Sequence, residues 1–245
     1  MPSRVAALIV LLCCGPLAAA TEFKSGPTRV ALLELYTSEG CSSCPPADRW
    51  VSGLKNDTRL WHDVVPVAFH VDYWDGLGWK DRFATRQYSE RQRDYARYGT
   101  LGTVYTPGFV VNGSEWRGWF HDPQLTLKPD VPAGRLSVTV ANDQVLSRFV
   151  PTNGDDGRYQ VHVAVTGSGL STAVAAGENR GRELTHDFVV LGYETRTMRD
   201  LNGTLTARSK LPSSSPIEPD RRALSIWVTR GLDPTPVQAT GGWLN

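Results

Sequence analysis

Apolar runs of two kinds divide the chain. Between residues 29 and 111 they are short and nearly unbroken. Arg29–Tyr36 (RVALLELY), Asp63–Val71 (DVVPVAFHV) and Val104–Val111 (VYTPGFVV) predict strands, the second covered on both faces. Ala47–Lys55 predicts a helix, because Trp50, Val51 and Leu54 share one face. Asp81–Tyr98 is charged and helical in propensity. Its aromatics fall into two stripes, Trp79 with Phe83 and Tyr88 with Tyr95, so one long helix and two short ones both fit. Asn112-Gly113 is a hairpin signal, with Ser114–Trp119 as the returning strand. This order of strand, helix, strand, helix and hairpin predicts a mixed sheet with helices on its faces.

After about residue 130 the pattern changes. Arg135–Val140, Tyr159–Thr166 and Ala223–Arg230 alternate apolar and polar residues, as half-buried antiparallel strands do. Phe188–Leu191 adds another strand, and Leu211–Pro219 (LPSSSPIEP) reads as a loop. The expected organisation is a leader over 1–20, a flexible lead-in over 21–28, an α/β domain over 29–130 and a smaller all-β, sandwich-like domain over 131–245.

The leader reading rests on the basic start Met1–Arg4, the apolar run Val5–Cys14 and the small-residue site Ala18-x-Ala20. The run is short for a membrane span, so the expectation is cleavage after Ala20 and a secreted or periplasmic chain that is not an integral membrane protein. A composition of 40% hydrophobic and 21% charged residues excludes long disorder and a fibrous repeat. Lys+Arg 26 against Asp+Glu 25 excludes a nucleic-acid wrapper and a polybasic membrane binder, and loss of Arg4 would bring bases and acids level. Of four cysteines the leader takes Cys13 and Cys14, which leaves Cys41 and Cys44 for an oxidising compartment.

Cys41-Ser42-Ser43-Cys44 falls between a predicted strand and a predicted helix. A thiolate is the nucleophile in disulfide exchange, and a helix N-terminus offers free N–H groups to hold it. Cys41 is therefore expected exposed at that terminus and Cys44 shielded one turn in, placed to resolve a mixed disulfide. Pro45 and Pro46 are tolerated only in the first helical turn, which puts the helix start near Ser43. Three other readings fit the pair. One is a structural disulfide, although so short a loop gains little entropy. Another is half of a zinc site, although His62, His70, His121, His162 and His186 form no close second pair. The third is copper held by Cys41, Cys44 and His70, a soft pair with an imidazole.

Pro107, after Thr106, opens a predicted central strand, where proline implies a strand start or a cis bond. Strand C-termini face the site in an open sheet, which brings in the segment after the second strand. Tyr73 and Trp74, with Tyr105, Ser42 and Ser43, are candidates for a substrate rim. His70 and Asp72 are candidates for proton relay. The plainer alternative is a packed loop whose Asp72 and Asp75 cap the next helix and whose rings fill the core.

Five blocks carry a resemblance: Glu39–Asp48 (EGCSSCPPAD), Phe69–Asp75 (FHVDYWD), Trp79–Phe83, Tyr105–Pro107 and Glu178–Gly181. With them the chain resembles a secreted, thioredoxin-like family of unknown function found in bacteria and plants. The resemblance implies a thioredoxin-like fold for the N-terminal part and a β-rich C-terminal part. It implies Cys41 as attacking cysteine, Cys44 as resolving cysteine and Pro107 as the cis-proline. Ser42-Ser43 departs from the usual Gly-Pro. The buried acid of thioredoxins would fall at Leu35, so Glu34, one position off and turned to the other face by strand alternation, is the remaining relay candidate. The function implied is thiol–disulfide exchange with protein or small-molecule thiols and disulfides, without a cofactor and without nucleic acid. A copper-binding or copper-delivery module and a non-enzymatic binding protein on the same scaffold are the alternatives.

Overall fold

A computed structural model describes residues 20–121, 123–128, 130–152, 157–213 and 217–244. Most of the expected leader lies outside them. The first described element is strand β1 (Thr21–Lys24), formed by the segment expected to be a flexible lead-in. It pairs with β6 (Arg135–Ala141), and Phe23 packs into the core.

The N-terminal pattern yields β2 (Ala31–Thr37), helix α1 (Pro45–Gly53), β3 (Val64–His70), helix α2 (Arg86–Arg97), β4 (Gly108–Val111) and the two-residue β5 (Ser114–Glu115). Only one helix forms in the 81–98 region. Thr85 caps it by accepting from the Tyr88 N–H, so the residues before it stay outside. Beyond β6 come β7 (Gln144–Val150), β8 (Tyr159–Ser168), β9 (Leu170–Ala173), β10 (Glu183–His186), β11 (Val189–Thr197), β12 (Arg199–Leu201), β13 (Thr204–Lys210), β14 (Arg221–Arg230) and β15 (Pro236–Trp243).

These strands do not form a helix-flanked, thioredoxin-like α/β domain with a small sandwich attached, and that expectation is corrected. The described residues are 45% strand and 16% helix. Eight strands form one mixed sheet in the order β15-β14-β8-β11-β3-β2-β4-β5. The seam is the parallel pairing of β11 with β3, where the Ala68 N–H donates to the Phe188 carbonyl at 2.8 Å. Without it β3 and β11 would each present an open edge. A second sheet, β1-β6-β7-β13-β12, covers one end of the large sheet, and β9 pairs with β10 as a separate hairpin.

Strand alternation explains why β8 is buried on both faces. Val161, Val163 and Val165 meet Phe23, Leu136, Val138 and Phe149 of the five-stranded sheet. On the opposite face Ala164 joins the cluster around Tyr36, Phe69 and Trp227, and the His162 ring stacks on Trp227 at 5.1 Å. Towards β2, Leu33 and Leu35 face α1 with Ala47, Val51 and Leu54, while Leu32 and Tyr36 share a cluster with Tyr88 and Tyr95 of α2.

On the α2 face lies a buried ion pair. Arg91 Nε and Nη2 donate to the Glu34 carboxylate at 2.7 and 3.0 Å, and the two side chains are 5% and 0% exposed. Tyr36 and Tyr95 hydroxyls donate to the same carboxylate. The Arg91 guanidinium sits 4.8 Å from the Trp227 ring of β14, so the pair ties α2, β2 and β14 together. Glu34→Gln leaves Arg91 buried without a counter-charge and is expected to cost about 3–5 kcal/mol in urea unfolding. The double variant Glu34→Leu, Arg91→Met is expected to recover most of that loss, because no unpaired charge remains.

Candidate functional site

The cysteine loop sits where β2 runs into α1, at the C-terminal edge of the parallel strands β2 and β3. The Gly40 N–H donates to Ser38 Oγ at 3.1 Å, and the Cys41 N–H to the Ser38 carbonyl at 3.1 Å. Cys44 is the residue before the first helical turn, and its N–H donates to the Cys41 carbonyl at 3.2 Å. Pro45 and Pro46 then fill helical positions whose N–H groups would have no partner. Cys41 and Cys44 form a disulfide with Cα atoms 5.4 Å apart, and Ser43 Oγ lies 3.3 Å from Cys41 Sγ. Gly108 of β4 pairs with Tyr36, which brings Pro107 to the same edge, and the Thr106–Pro107 peptide is cis.

Cys41 is not exposed, and that expectation is corrected: both cysteines are 0% accessible. Two segments cover them. The turn Gly177–Gly181 reaches in from the β-rich half. Asn179 Nδ2 donates to the carbonyls of Glu39 and Cys41, each at 2.9 Å, and the Glu178 carboxylate accepts from the Ser42 N–H at 3.0 Å. The Ser42 hydroxyl first, and its N–H second, hold the Glu178 carboxyl below its usual range. Gly177 and Gly181 have φ of 73° and 79°, left-handed values that favour glycine at both ends of the turn. The second cover is Trp74. A side chain on Gly40 would come 3.2 Å from Trp74 Cβ, and Trp74 Nε1 donates to Thr106 Oγ1 at 2.7 Å. Trp74 thus spans from the cysteine loop to the residue before Pro107. Ser42 and Ser43 remain exposed.

Below the loop lies a cluster of ionisable side chains. Glu39, Asp48, His70, Asp81 and His186 are all buried, none more than 6% accessible. His70 Nδ1 lies 2.6 Å from the Asp81 carboxylate, which also accepts from the N–H groups of Glu39 and Phe83. Trp79 Nε1 donates to Glu39 at 2.8 Å. His186 stands between two carboxylates, 3.4 Å from Glu39 and 3.7 Å from Asp48, and its ring is 5.0 Å from that of His70. Neither His186 nitrogen has a hydrogen-bond partner among the described residues, and neither does His70 Nε2. Burial disfavours the imidazolium of His70, but the Asp81 carboxylate outweighs it and raises the pKa. Burial pushes the Asp48 carboxyl up, against the opposing pull of His186 and His70. Burial also works against the Glu39 carboxylate, but its polar neighbours, His186 first, bring it below the usual range.

Several predicted residues lie elsewhere or have other partners. Glu34 is held by Arg91 and two tyrosines on the α2 face, whereas the cysteines precede α1 on the other face. Asp72 accepts from the Ser89 hydroxyl, which ties its loop to α2. The Tyr73 hydroxyl donates to Gln92, and the Tyr105 hydroxyl to Glu115. Burial, with Glu115 adding to it, pushes Tyr105 up to about 12. His70 is committed to Asp81, and no group of three or more His, Cys, Asp or Glu residues among the described ones is arranged to hold a metal ion, so the copper reading has no support here. Glu39, Asp48 and Asp81 lie inside the sequence blocks singled out above without marking themselves as a site. His186 carries no local signal at all. It ends β10 and enters the cluster only because β11 pairs with β3.

Residues 32–229 match the model of a family described as "Protein of unknown function (DUF1223)". No curated protein matches the chain. The crystal structure of protein AGR_C_4864 from Agrobacterium tumefaciens is similar at 26% identity and a TM-score of 0.55, over 90% of this chain and 96% of that one. A structure of HBP35 of Porphyromonas gingivalis shares the fold at 13% identity and a TM-score of 0.59, over 90% of this chain and 76% of that one.

The cover generates one prediction. Asn179→Ala removes two hydrogen bonds at roughly 1 kcal/mol each and is expected to speed reduction of the folded protein's disulfide by dithiothreitol by about tenfold or more. The rate of thiol release with an unchanged circular dichroism spectrum measures it, and an unchanged rate would show that the turn does not restrict access.

Proposed function

The chain belongs to the DUF1223 family of proteins of unknown function, and from that premise we propose that it is an exported protein whose Cys41–Cys44 pair exchanges disulfides with thiol partners. The observation that carries this reading is the place of the pair. The disulfide closes across the start of α1, so a Cys41 thiolate released on reduction would lie at the helix N-terminus, where dipole and free N–H groups favour negative charge. So short a loop would stabilise the fold by only about 2 kcal/mol. Export draws support from the basic, apolar and small-residue succession at the N-terminus.

In the exchange, a partner thiolate attacks Cys41 Sγ and the Cys41–Cys44 bond breaks. A second partner thiolate then releases Cys41 and leaves the partner oxidised. Protein or small-molecule dithiols meet this requirement. The turn over the loop must open first, and the hydrogen bonds that hold it, from Asn179 and to Glu178, are few enough to suit that task. Ser42 and Ser43, exposed on the loop, and Trp74 with Thr106 beside it are the groups that a partner would meet. One observation favours a second reading. A disulfide with both sulfurs sealed from solvent also suits a static staple.

Cys44→Ser separates the two readings. Expressed in the exporting cell, it is expected to trap mixed disulfides through Cys41, visible as bands that collapse on reduction and vanish in Cys41→Ser, Cys44→Ser. If no trapped species forms, and the double variant loses stability with no change in thiol reactivity, the staple reading stands instead.

A further inference from the structure

Reduction of a disulfide to two thiols takes up two electrons and two protons. Here both sulfurs are 0% accessible, so a proton for the inner sulfur has no direct route from water. Asp48 lies four residues after Cys44, and its N–H donates to the Cys44 carbonyl at 3.1 Å. That spacing stacks the two side chains on one face of the helix start. His186, 2% exposed, stands 3.7 Å from Asp48 and 3.4 Å from Glu39, with neither ring nitrogen in hydrogen-bond geometry. An imidazole buried between two carboxylates without a well-formed hydrogen bond calls for an explanation.

We propose that Asp48 and His186 form an internal proton relay for the Cys41–Cys44 couple, with Asp48 as the donor to Cys44. This rests on the thiol–disulfide reading above. A dithiol loses a proton to solvent, and its thiolate attacks Cys41 Sγ. The electron pair of the broken bond goes to Cys44 Sγ, which takes the proton of the Asp48 carboxylic acid. His186 returns a proton to Asp48 and is itself reprotonated from water once the cover is open. The second partner thiolate then forms the partner's disulfide and expels Cys41, which takes its proton from the opened site. In sum, one dithiol is oxidised and one disulfide becomes two thiols. In the oxidising direction each step reverses, and the Asp48 carboxylate accepts the proton of Cys44.

The groups around the relay set its charge. Glu39 precedes Cys41, and Asp48 lies on α1. His70 ends β3, paired to Asp81, whose N–H donates to Asp75. His186 ends β10, and next to it Asp187 is paired to Lys55. The His70–Asp81 pair is internally balanced, and Glu39 accepts from Trp79. The groups of the cluster left to exchange a proton with Cys44 are therefore Asp48 and, behind it, His186. Burial raises the Asp48 pKa, so the acid keeps its proton to higher pH than an exposed aspartate.

The test is stopped-flow reduction of the oxidised full chain by dithiothreitol over a range of pH, with each rate divided by the thiolate concentration. The wild-type normalised rate is expected to fall as pH rises and the donor is lost. Asp48→Asn is expected to abolish that fall and to slow the low-pH rate by about a hundredfold, the low end for a positioned proton donor. His186→Gln removes the pull that lowers the Asp48 pKa and is expected to shift the fall to higher pH. Superimposable profiles for wild type and Asp48→Asn would overturn the relay. A measurement without variants guards against misfolding: wild-type reduction should be slower in heavy water at equal thiolate, and equal rates would also overturn it. Failure of the underlying reading looks different, because folded wild-type protein would then resist dithiothreitol at every pH, and both claims would fall.

Discussion

A guanidinium and a carboxylate removed from water must find each other, and this constraint organises the centre of the molecule. Arg91 and Glu34 meet beneath α2, with two tyrosine hydroxyls completing the carboxylate's partners and the Trp227 ring beneath the cation. The participants come from β2, α2 and β14, and the Pro234 carbonyl accepts a further hydrogen bond from Tyr95. Breaking any one contact leaves a buried charge or dipole unsatisfied, so the arrangement enforces the relative placement of segments far apart in the chain. The opposite face of β2 is then free to carry α1 and the cysteine loop.

The same logic repeats at the sheet edge with a different outcome. There the ionisable groups are also buried, but two imidazoles keep nitrogens without partners. Around Arg91 the polar groups are matched and the result is rigidity. Around His186 the carboxylates stand close but outside hydrogen-bond geometry, and the proposed relay draws on the capacity left over. The turn that covers the disulfide belongs to the β-rich half, so the sulfurs lie beneath a part of the chain that contributes neither cysteine.

Much of the N-terminal architecture was legible because it is locally encoded. Unbroken apolar runs gave β2 and β3, and the proline pair placed the start of α1 within two residues. The one-position offset of Glu34 showed through strand alternation which face it would take. What stayed hidden was non-local. Parallel pairing of β11 with β3 leaves no trace in either strand's own pattern, and it joins strands expected in two separate domains into one sheet. The alternation in β8 read as half-buried because its second face is filled by Ala164 and His162 rather than by large aliphatic residues. The exposure expected of Cys41 failed for a related reason: a helix start predicts accessible N–H groups, and nothing near residue 41 announces that Asn179 will sit over it.

A sheet eight strands wide has two borders where a foreign strand could add on, and both are short or guarded. At one border β5 is only two residues long and offers almost no template. At the other, β15 runs from Pro236 to Trp243, but β1 and β6 pack against it, and Gly242 lies so close to the Phe23 ring that a methyl group there would collide with it. The first residues of the described chain therefore act as a guard rail against edge-to-edge aggregation, and trimming them would endanger solubility before it touched the cysteines.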